Sequence, residues 1–330
     1  GSKYNINTDG LKIHTTINHS MQVYAEDAIN QHMPRLQKEF FKQNTIEDNP
    51  TAPFRELTEG AIDTLLRRAM KRSERWRKMK YDLKKPDEEI KKSFQIPVKM
   101  TVFSWEGEID TIMKPWDSMI YYKSFLRPGM MSMDPNTGFV KAWAGGMNYK
   151  HFQYDMVKKG KRQIGSTFKP FVYAAAIDQL QLSPCDTFPD SQFCVEKNKF
   201  GNPEKWCPRN SGDKYGRTRT LKNALANSIN TVTARLIDKI GPKPVIKLAK
   251  NLGIEQRILP VPSIALGTPD LSVYEMVAAY SAFANKGVYT KPILIEKIED
   301  KNGTILFEYK RETKDVLSEE AAYVTVNLLE

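Results

Sequence analysis

Ser166 and Lys169 are the residues in this sequence whose types and spacing could together support nucleophilic chemistry. They stand three positions apart in the segment GSTFKP, so on a helix their side chains lie on the same side, one turn apart. A serine hydroxyl is a weak nucleophile and needs a base beside it. A lysine amine can be that base if burial or a neighbouring cation lowers its pKa. The pair therefore predicts covalent chemistry at Ser166 with Lys169 as the base.

The residues around the pair favour a buried nucleophile. Pro170 suits the first turn of a helix, where its missing N–H costs little. The positive end of that helix disfavours a charged lysine, and its free N–H groups can hold an oxyanion. The residues that follow are mainly apolar: Phe171, Val172, Ala174, Ala175 and Ile177. An S-x-x-K pair also arises by chance on protein surfaces, and that is the alternative for the motif taken alone.

A second motif, S-x-N, is formed by Ser228, Ile229 and Asn230, 62 residues after Ser166. In S-x-x-K enzymes this element lines the opposite side of the cleft. There Ser228 could relay a proton between the lysine and the leaving amine, while the Asn230 amide could hold the lysine and bind substrate backbone. A polar patch at a helix end is the alternative, since S-x-N is weaker than S-x-x-K.

The elements that must position these residues are predicted from hydrophobic period and turn residues. Strands at 130–134 and 139–144 form a hairpin before a helix from about Ser166 to Leu180. Residues 181–219 form a loop with four prolines and all three cysteines, and so long a loop is usually functional or covalently held. The remaining elements are predicted as helices near 220–240, 243–252 and 271–285, strands at 293–299 and 304–309, and a last helix from Ser318.

The first 126 residues are predicted to be a smaller linker or insertion region. With 330 residues, 40% of them hydrophobic, the chain has room for one large domain and this smaller part. Residues 11–17 are predicted as a strand, 18–41 as a helix and 44–60 as a loop. Aromatic clusters at 94–126 favour short strands and loops. Between them, one face of an amphipathic helix is marked by Ile62, Leu65, Leu66, Ala69, Met70, Trp76 and Met79.

Positive charge is concentrated on that amphipathic segment. The net charge is +11, and residues 67–92 hold twelve Lys or Arg against five Asp or Glu, an excess of seven. The simpler interpretation is a solvated helix face, and the alternative is a surface that binds anionic lipid or an acidic polymer. The sequence contains no recognisable nucleic-acid-binding motif, and no nucleic acid partner is predicted.

The three cysteines, Cys185, Cys194 and Cys207, lie within 23 residues of one another. There is no C-x-x-C pair and no histidine near them, which argues against a zinc site. In an oxidising compartment one disulfide is expected, most simply between Cys194 and Cys207. Three unpaired thiols are the alternative.

Five segments, in this order along the chain, resemble class A penicillin-binding proteins of bacteria. The resemblance covers about 10–17 and 127–330, whereas 44–126 matches less well. The segments are GLKIHTTI at 10–17, MDPNTGFVKAWAGG at 133–146, RQIGSTFKPFVY at 162–173, TLKNALANSINTVTARL at 220–236 and SIALGTPDLSVYEMVAAYSAFANKG at 263–287.

The resemblance implies an α/β fold of the α+β type, with an antiparallel sheet flanked by helices as in serine β-lactamases. Residues 127–330 would be a partial transpeptidase domain. Ser166 would attack the D-alanyl-D-alanine end of a peptidoglycan stem peptide and hold the acyl group until an amine of a second stem takes it. Lys169 would be the base, with Ser228 and Asn230 assisting, and β-lactams would acylate Ser166. No metal or cofactor is implied.

The resemblance also implies a place at the extracytoplasmic face of the bacterial inner membrane. A membrane anchor and a glycosyltransferase domain are expected upstream of this sequence, in which no stretch approaches the roughly 18–20 apolar residues of a membrane span. Gly1-Ser2 is typical of the residues that remain after removal of an expression tag.

The third motif of the family, K-[ST]-G, is absent from the sequence. In the family it lies on a sheet strand beyond the point where this chain ends, so we expect the chain to be a fragment. The missing strand would supply the second oxyanion N–H and the grip on the substrate carboxylate, and its loss would expose a sheet edge. We therefore expect these 330 residues alone to be impaired in turnover.

The sequence leaves three alternatives open. The first is another serine acyl-enzyme of the same superfamily, such as a β-lactamase, a carboxypeptidase or a β-lactam sensor. The second is a basic module that binds wall polymer or membrane, with an accidental S-x-x-K. The third is a scaffold that keeps the fold without catalysis, against which the intact motif residues argue.

Overall fold

The chain contains both helices and short strands. This computed structural model describes residues 4–330, and Gly1-Ser2 lies outside them. The predicted mixed class with antiparallel strands is confirmed. The helices are α1 (His19–Gln43), α2 (Glu59–Arg72), α3 (Glu74–Arg77), α4 (Asp87–Ser93), α5 (Pro115–Lys123), α6 (Lys169–Leu180), α7 (Leu221–Ala226), α8 (Asn230–Ile240), α9 (Pro242–Asn251), α10 (Val273–Ala284) and α11 (Glu319–Leu329). The strands are β1 (Lys12–Thr15), β2 (Val98–Ser104), β3 (Gly107–Met113), β4 (Met130–Met133), β5 (Val140–Ala144), β6 (Lys161–Gln163), β7 (Thr187–Pro189), β8 (Thr218–Thr220), β9 (Asp270–Ser272), β10 (Val288–Thr290), β11 (Ile295–Glu299), β12 (Ile305–Glu308) and β13 (Thr313–Asp315).

The strands of the described chain form several small antiparallel sheets. β11 is the central strand of a three-stranded sheet with β1 and β12, in which Ile298 lies opposite Ile13 on one side and Phe307 on the other. The hairpin β4–β5 joins the segment before β11 through a hydrogen bond from Val140 N to Ile293 O of 3.0 Å. The other ladders are β2–β3, β6–β9, β7–β8 and β10–β13.

The main hydrophobic core is built around α6. All nine residues from Lys169 to Ile177 are buried, on every side of the helix. This is the pattern of a helix enclosed by other elements, not of one at a surface. Helices α8, α9 and α11 pack against it. Because such cores are close-packed, they fix the position of the residues at the start of α6.

The chain divides into two compact units. The larger unit comprises the residues up to Ala25, Gly129–Gly145 and Tyr154–Glu330. The smaller unit comprises Glu26–Pro128 and Gly146–Gln153. Within residues 4–330 no helix has both the length and the apolarity to cross a membrane.

The smaller unit departs from the prediction of a single amphipathic helix over 62–79. The helix is interrupted at Ser73, which ends α2 and whose hydroxyl accepts a hydrogen bond from Trp76 N at the start of α3. A serine with extended backbone is a preferred N-cap, so it starts a new helix instead of continuing the old one. The predicted apolar face is nevertheless buried at Leu66, Met70 and Trp76.

Residues 94–126 contain a helix as well as strands. β2 and β3 pair over seven residues, but α5 was not predicted. Pro115 stands at its first position, where the missing N–H has no helical acceptor in any case. Trp116 N donates to Phe94 O at 3.0 Å. Aromatic residues occur on both a strand and the helix of this segment, so its aromatic composition does not distinguish a helix from a strand.

The basic residues of 67–92 are all exposed or half-buried. Three of them form ion pairs within the segment: Lys80 with Asp87, Lys85 with Glu89 and Lys91 with Glu88. Exposed pairs of this kind contribute little to stability.

The long loop at 181–219 is closed covalently, as its length suggested. Cys194 and Cys207 form a disulfide, so the predicted pairing is confirmed and the alternative of three thiols is wrong. Cys185 is free and exposed. Inside the disulfide, Val195 and Trp206 exchange backbone hydrogen bonds of 2.8 and 2.9 Å. The loop is further shortened by the β7–β8 pair.

Candidate active site

Ser166 lies in a 3-10 turn over Gly165–Phe168, and the regular helix α6 begins at Lys169, three residues later than predicted. Such turns are common at helix starts. The Ser166 side chain is exposed. Within residues 4–330 its hydroxyl makes no hydrogen bond, so the oxygen is open to an incoming group.

The segment that carries Ser166 is held in place by Gly267. Gly165 N donates to Gly267 O at 2.9 Å. Gly267 has a φ of +72°, and a Cβ atom there would lie 1.7 Å from Gly165 O. Only glycine fits both the conformation and the close approach. On the other side, the Tyr280 hydroxyl donates to Thr167 O at 2.6 Å.

The buried side chain of Lys169 meets both polar residues of the S-x-N motif. Its Nζ donates to Ser228 O at 2.6 Å, to Ser228 Oγ at 2.9 Å and to Asn230 Oδ1 at 2.6 Å. Lys169 itself is fully buried. The structure thus brings together three of the four residues predicted for the site. Ser166, the fourth, stands one turn before Lys169, with no hydrogen bond between their side chains in the described chain.

Burial lowers the pKa of Lys169 to about 8. An amine removed from water favours its neutral form, which outweighs the opposing effect of the three acceptors around it. A base works best when its pKa lies near the operating pH. Near neutral pH an appreciable fraction of Lys169 can therefore accept a proton.

The S-x-N motif sits at a break between two helices, so the prediction of one helix over 220–240 is wrong. α7 ends at Ala226 and α8 begins at Asn230. Between them Ser228 adopts a left-handed conformation with φ of +53°. A non-glycine residue held in this region is strained, and such strain is concentrated at functional sites. Here the break brings both oxygens of Ser228 to Lys169.

The amide of Asn230 has a defined orientation. Its Oδ1 faces the Lys169 amine, while its Nδ2 donates to Arg209 O at 2.7 Å. A carbonyl oxygen can only accept and an NH₂ group can only donate, so the two partners fix which end of the amide faces the lysine.

Sequence reasoning missed the residues that support the motif from the long loop. Arg209 supplies the carbonyl that binds the Asn230 side chain, and Asn210 accepts a hydrogen bond from Asn230 N at 3.0 Å. Asn210 is buried. The only signal in the sequence was the length of the loop and its cysteines, which did not single out individual residues.

The arrangement places an exposed hydroxyl one helical turn from a buried amine of lowered pKa, with a second hydroxyl bound to that amine. It has the components of a nucleophile, a base and a proton relay. In residues 4–330, no three His, Cys, Asp or Glu side chains are grouped so that they could hold a metal ion.

Comparison with protein families matches two stretches of the chain. Residues 129–330 match the penicillin binding protein transpeptidase domain, and residues 49–126 match the penicillin-binding protein middle domain.

Two curated relatives are similar in sequence. Penicillin-binding protein 1A of Aquifex aeolicus is 36% identical over 206 residues, which are 62% of this chain and 28% of that protein. Penicillin-binding protein 2D of Bacillus subtilis is 34% identical over 207 residues, 62% of this chain and 30% of that protein. The chain thus spans less than a third of the length of these relatives.

Two solved structures share the fold. Penicillin-binding protein 1A from Haemophilus influenzae has a TM-score of 0.67 at 20% identity, over 97% of this chain and 54% of that one. The PonA1 protein from Mycobacterium tuberculosis, solved in complex with penicillin V, has a TM-score of 0.53 at 21% identity, over 81% of this chain and 70% of that one. The resemblance read from the sequence is confirmed, and the chain belongs to the penicillin-binding protein family through its transpeptidase domain.

Proposed function

We propose that this chain carries the catalytic cleft of a D,D-transpeptidase that cross-links peptidoglycan stem peptides through a serine acyl-enzyme. The observation that carries the proposal is the binding of Lys169 Nζ to Ser228 and Asn230, which unites S-x-x-K and S-x-N in one site. In this proposal residues 127–330 are part of the transpeptidase domain, and residues 1–126 are an N-terminal linker or insertion region that contains the first strand and the basic helix.

Acylation begins with a proton transfer. Neutral Lys169 takes the proton of the Ser166 hydroxyl as its oxygen attacks the carbonyl carbon of the penultimate D-alanine. Within residues 4–330 the side chains of Ser166 and Lys169 make no hydrogen bond to each other, but catalytic hydrogen bonds often form only in the substrate complex. The tetrahedral oxyanion is stabilised by backbone N–H groups at the start of the helix.

The intermediate collapses when the bond to the last D-alanine breaks. Lys169 returns the proton to the leaving amine through the hydroxyl of Ser228, which lies 2.9 Å from its Nζ. Asn230 holds the lysine and offers its remaining N–H to substrate backbone. An amine of a second stem peptide then attacks the acyl-enzyme and gives up a proton to Lys169, which passes it to the Ser166 oxygen as the acyl bond breaks, so that both residues return to their starting states.

β-Lactams are proposed to acylate the same serine, since a structural neighbour is described in complex with penicillin V. The whole protein is proposed to act at the extracytoplasmic face of the bacterial inner membrane, with an anchor and a glycosyltransferase domain upstream. The assignment of stem peptides as its substrates rests on the family to which the chain belongs.

Exchange of D-amino acids tests the proposal. A peptide ending in D-Ala-D-Ala is incubated with a labelled D-amino acid, and mass spectrometry follows release of D-alanine and formation of the exchanged peptide. We expect exchange with the wild-type sequence prolonged through K-[ST]-G, less exchange with these 330 residues alone, and none with Ser166→Ala. Because K-[ST]-G is absent from residues 1–330, the assay is run on this chain and on one prolonged through that motif.

The same assay separates the related acyl-enzymes. Hydrolysis of the peptide without transfer would favour a carboxypeptidase. Rapid turnover of penicillin without any action on the peptide would favour a β-lactamase. Either result would contradict the transpeptidase assignment while keeping Ser166 as the nucleophile.

A further inference from the structure

The S-x-N motif is held from a distant part of the chain. We call residues 208–216, which follow Cys207 directly, the anchor segment. The carbonyl of Arg209 accepts the side-chain amide of Asn230 at 2.7 Å, and the side chain of Asn210 binds the backbone at the same position. The anchor segment thus contacts Asn230 at both its side chain and its backbone.

Asn210 caps helix α8 from outside the helix. Its Oδ1 accepts hydrogen bonds from Asn230 N at 3.0 Å and Thr231 N at 3.2 Å. The first N–H groups of a helix have no acceptor within it and are usually satisfied by the N-cap side chain. The N-cap here is Ile229, which makes no such bond. Asn210 supplies the missing acceptor and so fixes the first turn of α8.

Asp190 determines the orientation of Asn210. Its Oδ1 accepts from Asn210 Nδ2 at 2.7 Å and from the Thr231 hydroxyl at 2.9 Å. Its Oδ2 accepts from Gly216 N at 2.9 Å and Arg219 Nε at 3.1 Å.

Asp190 is fully buried, and burial raises its pKa; the hydrogen bonds from Asn210, Thr231, Arg219 and Gly216 outweigh this and leave the pKa below its usual value. An ionised carboxylate can only accept, so it turns the NH₂ of Asn210 toward itself and the oxygen toward α8.

We propose that Asn210, oriented by Asp190, is a positioning residue for acylation: it sets the place of Asn230 and, through that amide, of the Lys169 amine. The connection is short, since Asn230 Oδ1 lies 2.6 Å from Lys169 Nζ. This inference rests on the proposed function of Ser166 and Lys169. Asn210 itself contacts neither of them and takes no part in the chemical step.

Three substitutions and one control test the proposal. Asn210→Ala removes the cap, the bond to Asp190 and a bond from Asn210 Nδ2 to Lys214 O of 3.0 Å. Asn210→Asp keeps an acceptor for α8 but sets two carboxylates against each other. The exchanged pair, Asp190→Asn with Asn210→Asp, again has one carboxylate and one amide, with the carboxylate at the favourable end of the helix. Asn202→Ala is the control, since Asn202 lies in the disulfide loop and donates to Glu204 O.

The readout is stopped-flow acylation by a fluorescent penicillin, in the chain prolonged through K-[ST]-G, with unfolding temperatures measured in parallel. We expect Asn210→Ala and Asn210→Asp to lower the acylation rate constant by roughly tenfold to a hundredfold, as small misplacements of catalytic groups do. The dissociation constant of the preceding non-covalent complex should change little. The exchanged pair should regain about tenfold over Asn210→Asp, and Asn202→Ala should match wild type.

A folded Asn210→Ala that is acylated at the wild-type rate would overturn the inference. If Asn210→Ala does not fold, the exchanged pair is compared with Asn210→Asp. An exchanged pair that is acylated no faster than Asn210→Asp would then overturn the inference. A wild type that is not acylated at all would instead overturn the proposed function, and this inference with it.

Discussion

The Nζ atom of Lys169 lies 2.9 Å from the Oγ atom of Ser228, although 59 residues separate them in sequence. The contact has two requirements. Helix α6 must place the Lys169 side chain in the core, and the chain between α7 and α8 must leave the helical path where Ser228 can reach the amine. The Lys169 side chain is fully buried, and this burial lowers the pKa of its amine to about 8. The chemistry predicted for the site depends on that depression.

Acylation should follow the titration of Lys169. Only the neutral amine can accept the proton of Ser166, and the pKa of Lys169 is lowered to about 8, so the reactive fraction falls as pH drops below 8. We expect the second-order rate constant for penicillin acylation to rise about tenfold per pH unit up to pH ~8 and then to level off. Acylation rates from pH 6 to 9.5 measure this. A profile that is flat through pH 8 would exclude Lys169 as the base.

Substitutions at Ser228 should separate its hydroxyl from its backbone strain. Ser228→Ala and Ser228→Gly both remove the relay, and we expect each to slow acylation by on the order of a hundredfold or more. Glycine tolerates the φ of +53° and alanine does not. The glycine variant should therefore be more stable than the alanine variant by about 1 kcal/mol, measured by urea unfolding. Equal stabilities would show that the conformation carries no strain.

Replacement of Gly267 should damage the site because any side chain there would collide with the backbone of Gly165. Gly303 provides the matched control. Both have a positive φ, +72° and +85°, but a Cβ at Gly267 would meet Gly165 O whereas one at Gly303 would meet nothing within 4 Å. We expect Gly303→Ala to lose about 1 kcal/mol of unfolding free energy and to be acylated normally. Gly267→Ala should lose roughly 3 kcal/mol and most of its acylation, because Gly165 and Ser166 must move. Matching losses in both variants would show that φ alone matters.

The disulfide should stabilise the fold and support the site. The bond between Cys194 and Cys207 closes a loop with a sequence separation of 13, for which chain entropy gives a contribution of about 3 kcal/mol. Cys207→Ser should lower the unfolding free energy by about that amount and slow acylation, because Arg209 and Asn210 follow directly. Cys185→Ser, at the free exposed cysteine, should change neither quantity. A Cys207→Ser variant of lowered stability but normal acylation rate would separate the disulfide from the anchor segment.

The parts of the fold and of the candidate site that depend on short local patterns could be predicted from the sequence. The apolar run after Lys169 predicted a buried helix, and Asp134 to Gly138 predicted the turn between β4 and β5; both are confirmed. S-x-x-K and S-x-N each lie within one turn of chain and are recognisable as motifs, and their meeting at Lys169 was expected because S-x-x-K enzymes place the two motifs on opposite sides of one cleft. Ser318 was correctly predicted as the N-cap of α11, since its hydroxyl accepts from Ala321 N at 3.2 Å.

Other features could not be predicted because they depend on contacts between distant segments. The break at Ser228 lies in a stretch whose composition suits a continuous helix, and only the bonds to Lys169 and Asn210 show why it is interrupted. Asn210 is one polar residue among many in a loop. The interruption of the basic segment at Ser73 has a local cause instead, since the Ser73 hydroxyl caps a new helix in competition with helix continuation.

Intact-protein mass spectrometry after incubation with a penicillin tests the central claim most directly. We predict an added mass equal to one penicillin on wild type. The adduct should be lost in Ser166→Ala and retained in Thr167→Ala, because the Thr167 hydroxyl is exposed but donates a hydrogen bond to Ile164 O. Peptide mapping should place the adduct on Ser166. No adduct on a chain prolonged through K-[ST]-G, or an adduct that survives Ser166→Ala, would contradict the account.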